Sequence, residues 1–353
     1  MTLTILIALA VLWWLIASFV LSGPDLSRYD SFVGEQFDDH PDDAKANAEL
    51  LSMIKEVRDK ATTTKSLRNG FALVRKFADE LSDDIETDTQ FSPTIANGVN
   101  CEWAVAKGVD TRRRILFCHG GAFLFGSPKG HRVFTDKLSK IANAAVLSVD
   151  YRMLPEHSRM KSIEDAQNAY RWMLEQGPSG HEEASLILTA GDSAGGNLAL
   201  MLSSWTKTEN IRRPNGALGF SPSTDMTLAS PTIKRNKTTD KLLGEGLGLA
   251  IKIPSALRAW LSLFMMRINP ANKLASPVFG DLSELPPTLI HASSSEMLLG
   301  DAMRYTNKAR AQGSSVTLQV WKNQQHDWHL FNMHKGSAVH AWAEVKKFID
   351  GLA

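Results

Sequence analysis

The sequence predicts an α/β fold, with a mostly parallel sheet covered by helices on both faces. Three observations predict it. From about residue 100 onward, short apolar segments alternate with helical patterns, which is how a parallel sheet reads when crossover helices cover it. Gly191-Asp192-Ser193-Ala194-Gly195 joins a strand-like run over 184–190 to an apolar helical pattern over 198–202, so the chain must turn sharply from strand into helix there. His119-Gly120-Gly121 follows the apolar run over 115–118, a second tight turn at the end of a strand.

Bulk properties set the bounds. The 353 residues can bury one large core or two modest ones. With 43% hydrophobic and 22% charged residues the composition is globular. The net charge of +1 comes with no basic block, so nucleic acid is not an expected partner. Two cysteines, Cys101 and Cys118, are no disulfide framework, and no Cys/His spacing suggests a metal.

The N-terminal element is unusual. Residues 3–21 carry no charge and, at about 1.5 Å rise each, would roughly span a bilayer core. No Lys or Arg precedes the run and Trp13-Trp14 sit within it, which favours an uncleaved anchor over a cleaved signal peptide. A buried core helix is the third reading. The residues after the run are mostly acidic (Asp25, Asp30, Glu35, Asp38, Asp39), so the remainder is expected on the non-cytoplasmic side: periplasm, lumen or exterior. Asn236-Lys237-Thr238 is a glycosylation sequon, a match that chance easily produces.

An acidic linker, Asp38 to Asp43, leads to two amphipathic helices. Leu50, Ile54 and Val57 mark the first; Leu67, Phe71, Val74, Phe77 and Leu81 mark the second. Strands are expected at 102–105, 114–118, 144–149, 184–190, 217–220, 288–291 and 315–321. Helices are expected at 162–176, 193–205, 302–312 and 340–349. Residues 225–275 break the alternation with a basic loop (234–241), a Gly-rich stretch (244–248) and an apolar stretch (256–266). An insertion there would sit above the C-terminal ends of the strands, where such sheets bind ligands.

The Gly-x-Ser-x-Gly pattern is that of a nucleophile elbow, and a serine hydroxyl needs a base and a group to orient that base. The expected order is nucleophile, acid, histidine, with the partners in loops after late strands. His326 comes first in the polar loop after the strand ending at Trp321, with His329 as runner-up. Glu296 follows 288–291, with Asp301 as its competitor, though Asp301 also suits a helix N-terminus. Backbone N–H groups of Gly120, Gly121 and Ala194 are expected to hold the oxyanion; which two of Gly120, Gly121 and Ala122 point at it stays open. His119 and the stretch Asp150-Tyr151-Arg152 with Glu156-His157 are expected to brace the oxyanion loop rather than to transfer protons.

Taken together, His119-Gly120-Gly121-Ala122, Asp150-Tyr151-Arg152-Met153-Leu154-Pro155-Glu156-His157 and Gly191-Asp192-Ser193-Ala194-Gly195-Gly196-Asn197 resemble the motifs of the hormone-sensitive-lipase-like esterases. Ser221-Pro222-Ser223-Thr224-Asp225 and His326 fall where that family has its post-elbow strand end and catalytic histidine. The resemblance covers roughly 100–353. It implies an α/β-hydrolase core with a helical cap, and hydrolysis of short- to medium-chain carboxylic esters without metal or organic cofactor. Two departures stand out: Ala122 replaces a third glycine, and Glu296-Met297-Leu298 stands where the family commonly shows Asp-Pro-Leu. The expected organisation is an anchor or signal at 1–22, a linker and N-terminal cap helices at 23–99, and a hydrolase domain at 100–353 with a cap insertion about 225–275. Leu247, Leu249, Ile251, Leu261 and Phe264 suggest a greasy acyl site, or else the core of the cap. Expected partners are a small ester and a membrane; a homodimer is left open. The rival activities are hydrolysis of arylamides or acetylated lipids, and mere ligand binding on the same fold.

Overall fold

The alternating segments assemble into one nine-stranded sheet in the computed structural model, which describes residues 2–64 and 66–352. Met1, Lys65 and Ala353 lie outside the described residues. So do the side chains of Thr2, Leu3 and Leu67, the last two belonging to the predicted apolar run and second stripe. The strands are β1 (Glu35–Phe37), β2 (Gln90–Ala96), β3 (Val99–Val105), β4 (Asp110–Cys118), β5 (Ala144–Val149), β6 (Leu186–Asp192), β7 (Gly216–Phe220), β8 (Thr288–Ser293) and β9 (Val316–Trp321). Their order across the sheet is β1-β9-β8-β7-β6-β4-β5-β3-β2. All neighbours are parallel except β5–β3 and β3–β2, which are antiparallel.

The longer helices are α1 (Thr2–Ile16, continued by Ala17–Leu21), α2 (Asp43–Thr62), α3 (Leu67–Glu80), α4 (Arg132–Ala142), α5 (Arg159–Met173), α6 (Ser193–Thr208), α7 (Ser255–Met266), α8 (Leu299–Ala311) and α9 (Gly336–Asp350). Alternate residues of β4 leave opposite faces of the sheet. Ile115 and Phe117 pack with Phe134 and Leu138 of α4 and Trp342 of α9. Leu116 and Cys118 pack with Ile163 of α5 and Leu198 of α6. Ile115, Leu116 and Phe117 are all fully buried, and such burial stabilises by about 1.5–3 kcal/mol per side chain. This double cover explains the uninterrupted apolar runs of the central strands.

The sheet also draws on chain before residue 100. β1 is only three residues long with its first two side chains exposed, so it carries no periodic signal; Phe37 stacks on Trp321, ring centroids 4.2 Å apart. β2 contains Pro93, which reads as a break but is tolerated on an edge strand. The acidic linker is docked rather than free. Asp43, the first residue of α2, is buried and accepts from Ser337 N (2.8 Å), Ser337 Oγ (2.6 Å) and Gln324 Nε2 (2.7 Å). It thereby ties α2 to the start of α9 and to the loop after β9.

Residues 225–275 form two short helices, Thr232–Arg235 and Gly246–Ala250, and then α7. The sequon asparagine is not a surface acceptor. Asn236 is buried, and its amide donates to the carbonyls of Ser294 (3.0 Å) and Glu296 (2.8 Å).

Candidate active site

β6 runs straight into α6, and the junction explains each small residue of the pentapeptide. Ser193 adopts φ +50°, a left-handed conformation that strains a non-glycine residue. A Cβ on Gly195 would lie 1.9 Å from the Cys118 carbonyl oxygen, and one on Gly191 would lie 2.4 Å from Gly195 C. Only glycines let β4, β6 and α6 meet this closely. The turn puts the Ser193 hydroxyl at the first turn of α6, where unpaired N–H groups and the helix dipole favour negative charge.

Three candidates from distant parts of the chain meet there. Ser193 Oγ lies 2.8 Å from His326 Nε2, and His326 Nδ1 lies 2.8 Å from Glu296 Oε2. Glu296 Oε1 accepts from Ser293 N at 2.7 Å, so both carboxylate oxygens are engaged. A carboxylate only accepts, which places the ring proton on Nδ1 and leaves Nε2 free to accept from the serine. Beyond Asn236, the 225–275 segment holds this acid loop through Asp240 Oδ2, which accepts from Met297 N at 2.8 Å, and Thr232 Oγ1, which donates to Met297 O at 2.7 Å.

The competitors are elsewhere. Asp301 Oδ2 accepts from the N–H groups of Thr224 (3.0 Å) and Asp225 (2.9 Å) in the first turn of α8. His329 Nε2 faces His291 Nδ1 at 2.9 Å, and burial holds both rings well below the usual histidine range. His157 is exposed.

The oxyanion loop requires a correction. The Gly120 N–H donates to Asp192 Oδ1 at 2.9 Å, so it is not free to receive an oxyanion. Among the described residues no acceptor takes the N–H of Gly121 or Ala122, and both residues line the cavity. Ala122 accepts φ +54°, so alanine serves where a third glycine was expected. Asp192, the variable residue of the pentapeptide, therefore clamps the loop to the elbow; its Oδ2 lies 3.4 Å from His131 Nε2. Burial alone would lower the pKa of His131, but Asp192 outweighs it and the net shift is upward.

The expected bracing is partly different too. Tyr151 Oη donates to His119 O at 2.7 Å and stacks on the His119 ring at 4.2 Å. Burial, with His131 nearby, pushes His119 down to about 3, so it stays neutral. Glu156 and His157 are on the surface, and Glu156 pairs with Arg75 of α3. Arg75 also donates to the carbonyls of Leu124 (2.8 Å) and Leu154 (2.9 Å), fastening α3 over the loop.

Asp327 was not anticipated. It follows His326 with φ +56°, is buried, and puts Oδ2 3.1 Å from His326 Nε2, while Oδ1 has no hydrogen-bond partner among the described residues. Burial drives its carboxyl up to about 7, against the opposing pull of His326. For His326, burial lowers the pKa, but Asp327 and Glu296 together overcome that and hold it well above the usual value. Asp327 Oδ2 thus faces the same ring nitrogen as the Ser193 hydroxyl. An acid next to a candidate base was visible in the sequence; the left-handed turn that folds it back was not.

These groups floor a cavity of about 430 Å³. Its walls are mostly apolar: Ile54, Val57 and Ala61 of α2, Val74 and Phe77 of α3, Leu81 just beyond it, then Leu242, Leu243, Leu330 and Phe331. The expected greasy residues are not among them. Leu247 and Ile251 pack on Ile233, Met297 and Leu298, while Leu249, Leu261 and Phe264 face outward. Helical periodicity identifies an apolar face but not what it faces.

Residues 115–330 match the family described as alpha/beta hydrolase fold. An esterase of Acinetobacter venetianus is 32% identical over 264 residues, covering 74% of this chain and 82% of the relative. An acetyl-hydrolase of Streptomyces hygroscopicus is 34% identical, covering 62% and 69% respectively. A solved esterase of the bacterial hormone-sensitive lipase family superposes with a TM-score of 0.73 at 28% identity, covering 86% of this chain and 97% of that one. A nine-stranded, mostly parallel sheet, an elbow at the end of β6 and these similarities agree: the chain belongs to the hormone-sensitive-lipase-like esterases of the α/β-hydrolase family.

Proposed function

We propose that this carboxylic ester hydrolase works through an acyl-enzyme on Ser193, with His326 as base and Glu296 as the group that orients it, on short- to medium-chain esters. The observation that carries the reading is the unbroken line Ser193 Oγ–His326 Nε2, His326 Nδ1–Glu296 Oε2, with 2.8 Å at each step, at the floor of an apolar cavity. Ser193 Oγ attacks the ester carbonyl carbon as its proton passes to Nε2. The charge that develops on the carbonyl oxygen is received by the N–H groups of Gly121, Ala122 and Ala194. Glu296 stabilises the imidazolium, which then protonates the leaving alcohol oxygen. Water attacks the acyl-enzyme with the same roles in reverse and frees the acid. α2, α3 and the 225–275 segment act as a cap that shapes the acyl side, and residues 4–21 seat the protein at a membrane.

A fluorophosphonate probe is expected to label Ser193, and p-nitrophenyl esters to turn over fastest at short to medium acyl length. Absence of labelling would overturn the acyl-enzyme. A rate that keeps rising to long chains would overturn the acyl-length reading. The likeness to an acetyl-hydrolase favours a second reading, removal of acetyl groups from amides or lipids; faster turnover of an acetanilide than of its matched ester would select it.

Asp327 makes a pH prediction. The general base must be neutral, and a carboxylate 3.1 Å from Nε2 favours the imidazolium. Asp327→Asn is therefore expected to move the acid limb of the kcat/KM profile to lower pH, with Glu296, Asp192 and His131 still facing the site. An unmoved limb would show that the ring does not feel Asp327.

A further inference from the structure

α7 has two apolar sides and only one is covered. On the covered side Ala259 packs with Ala17 and Leu21 of the N-terminal run. Trp260 stacks on Trp13, ring centroids 6.1 Å apart, and Trp260 Nε1 donates to Trp13 O at 3.3 Å. Just beyond α7, Asn269 Nδ2 donates to Val20 O at 3.0 Å. The other side shows Leu257, Leu261, Phe264 and Met265 to solvent, and Phe264 is 82% exposed. These residues share one face at helical spacing.

Charge is arranged to match. No Asp or Glu occurs between Glu245 and Asp281, whereas Lys252, Arg258, Arg267 and Lys273 do. A stretch with a bare apolar stripe and only positive charges suits the boundary of an anionic lipid surface, where tryptophans are also favoured.

Thr4–Leu21 is apolar enough to cross a bilayer, with a mean hydropathy of 2.5. However, α7 lies alongside the run from Trp13 to Leu21. The residues ahead of Trp13, Thr4 to Leu12, reach only about 14 Å at 1.5 Å rise each, less than half of a hydrocarbon core of about 30 Å. The run cannot cross unless α7 enters the near leaflet, and it cannot even dip in without drawing α7 to the surface.

We propose that α7 is an interfacial helix, seated by Leu257, Leu261, Phe264 and Met265 in the headgroup boundary of an anionic bilayer beside the N-terminal run. The protein is then held by two apolar elements, which fixes its orientation and not only its distance from the lipid. This rests on the reading of residues 4–21 as membrane-seated, and the test separates the two.

Full-length Phe264→Cys and Leu9→Cys proteins are each labelled with an environment-sensitive fluorophore. The native thiols are buried and will not compete: burial pushes Cys101 up to about 12 and raises Cys118 as well. Phosphatidylcholine–phosphatidylglycerol vesicles carrying brominated acyl chains are then added. The expected result is a blue shift and loss of emission at both positions, with position 264 quenched best by bromines near the headgroups. Quenching at position 9 alone would overturn the seating of α7 and leave the anchor standing. Quenching at neither position would overturn both, and quenching at position 264 alone would overturn seating beside the run. Equal quenching in phosphatidylcholine vesicles would overturn the preference for anionic lipid.

Discussion

Ser193→Ala is expected to lower kcat for p-nitrophenyl esters by about 10⁶-fold, the scale seen when a triad nucleophile is removed. Alanine occupies the same φ +50° turn as serine, so the elbow should fold unchanged. The loss is therefore chemical, and thermal stability should stay close to that of the parent protein. What activity remains should come from the backbone donors and the cavity. A rate within a few-fold of the parent would overturn the mechanism, because no other hydroxyl is within reach of His326 Nε2 among the described residues.

Glu296→Gln is expected to lower kcat by about 10⁴-fold. Glutamine has almost the shape of glutamate, so the packing survives, but its amide can donate to Nδ1. The ring proton then moves to Nε2, and the nitrogen that faces Ser193 can no longer accept. Asp301→Asn is the matched control. Asp301 holds the Thr224 and Asp225 N–H groups, and an asparagine oxygen still accepts, so kcat should stay near parental. Steady-state rates of the two variants decide between the acids. A large loss in Asp301→Asn and none in Glu296→Gln would reverse the assignment.

The elbow was legible because its chemistry and its fold impose the same requirement. Gly191 and Gly195 are small because strand and helix meet there, and the flanking apolar runs announce that strand and helix. That Glu296 and His326 meet at Ser193 was legible through order and position alone, each being the first suitable side chain after a late strand. Gly120 was misread for a physical reason. Its N–H and that of Gly121 are equivalent in the sequence, and only the Asp192 carboxylate, brought up from β6, consumes one of them. Asp43, Asn236 and Asp327 were likewise read as linker, sequon and loop. Each is buried; Asp43 and Asn236 have partners far along the chain, Ser337 and Ser294, while Asp327 is turned back onto its own neighbour His326.

The sequence by itself determined the parallel sheet, the strand-to-helix elbow at Ser193, the family and the presence of an apolar N-terminal run. These follow from local rules: alternation, period, turn chemistry and the spacing of short motifs. Only the tertiary structure decided which backbone donors are free, which carboxylates face His326, which helices wall the cavity, and that α7 lies against the N-terminal run. Those are questions of which surfaces meet, and a pattern along one strand or helix shows a face without showing its partner.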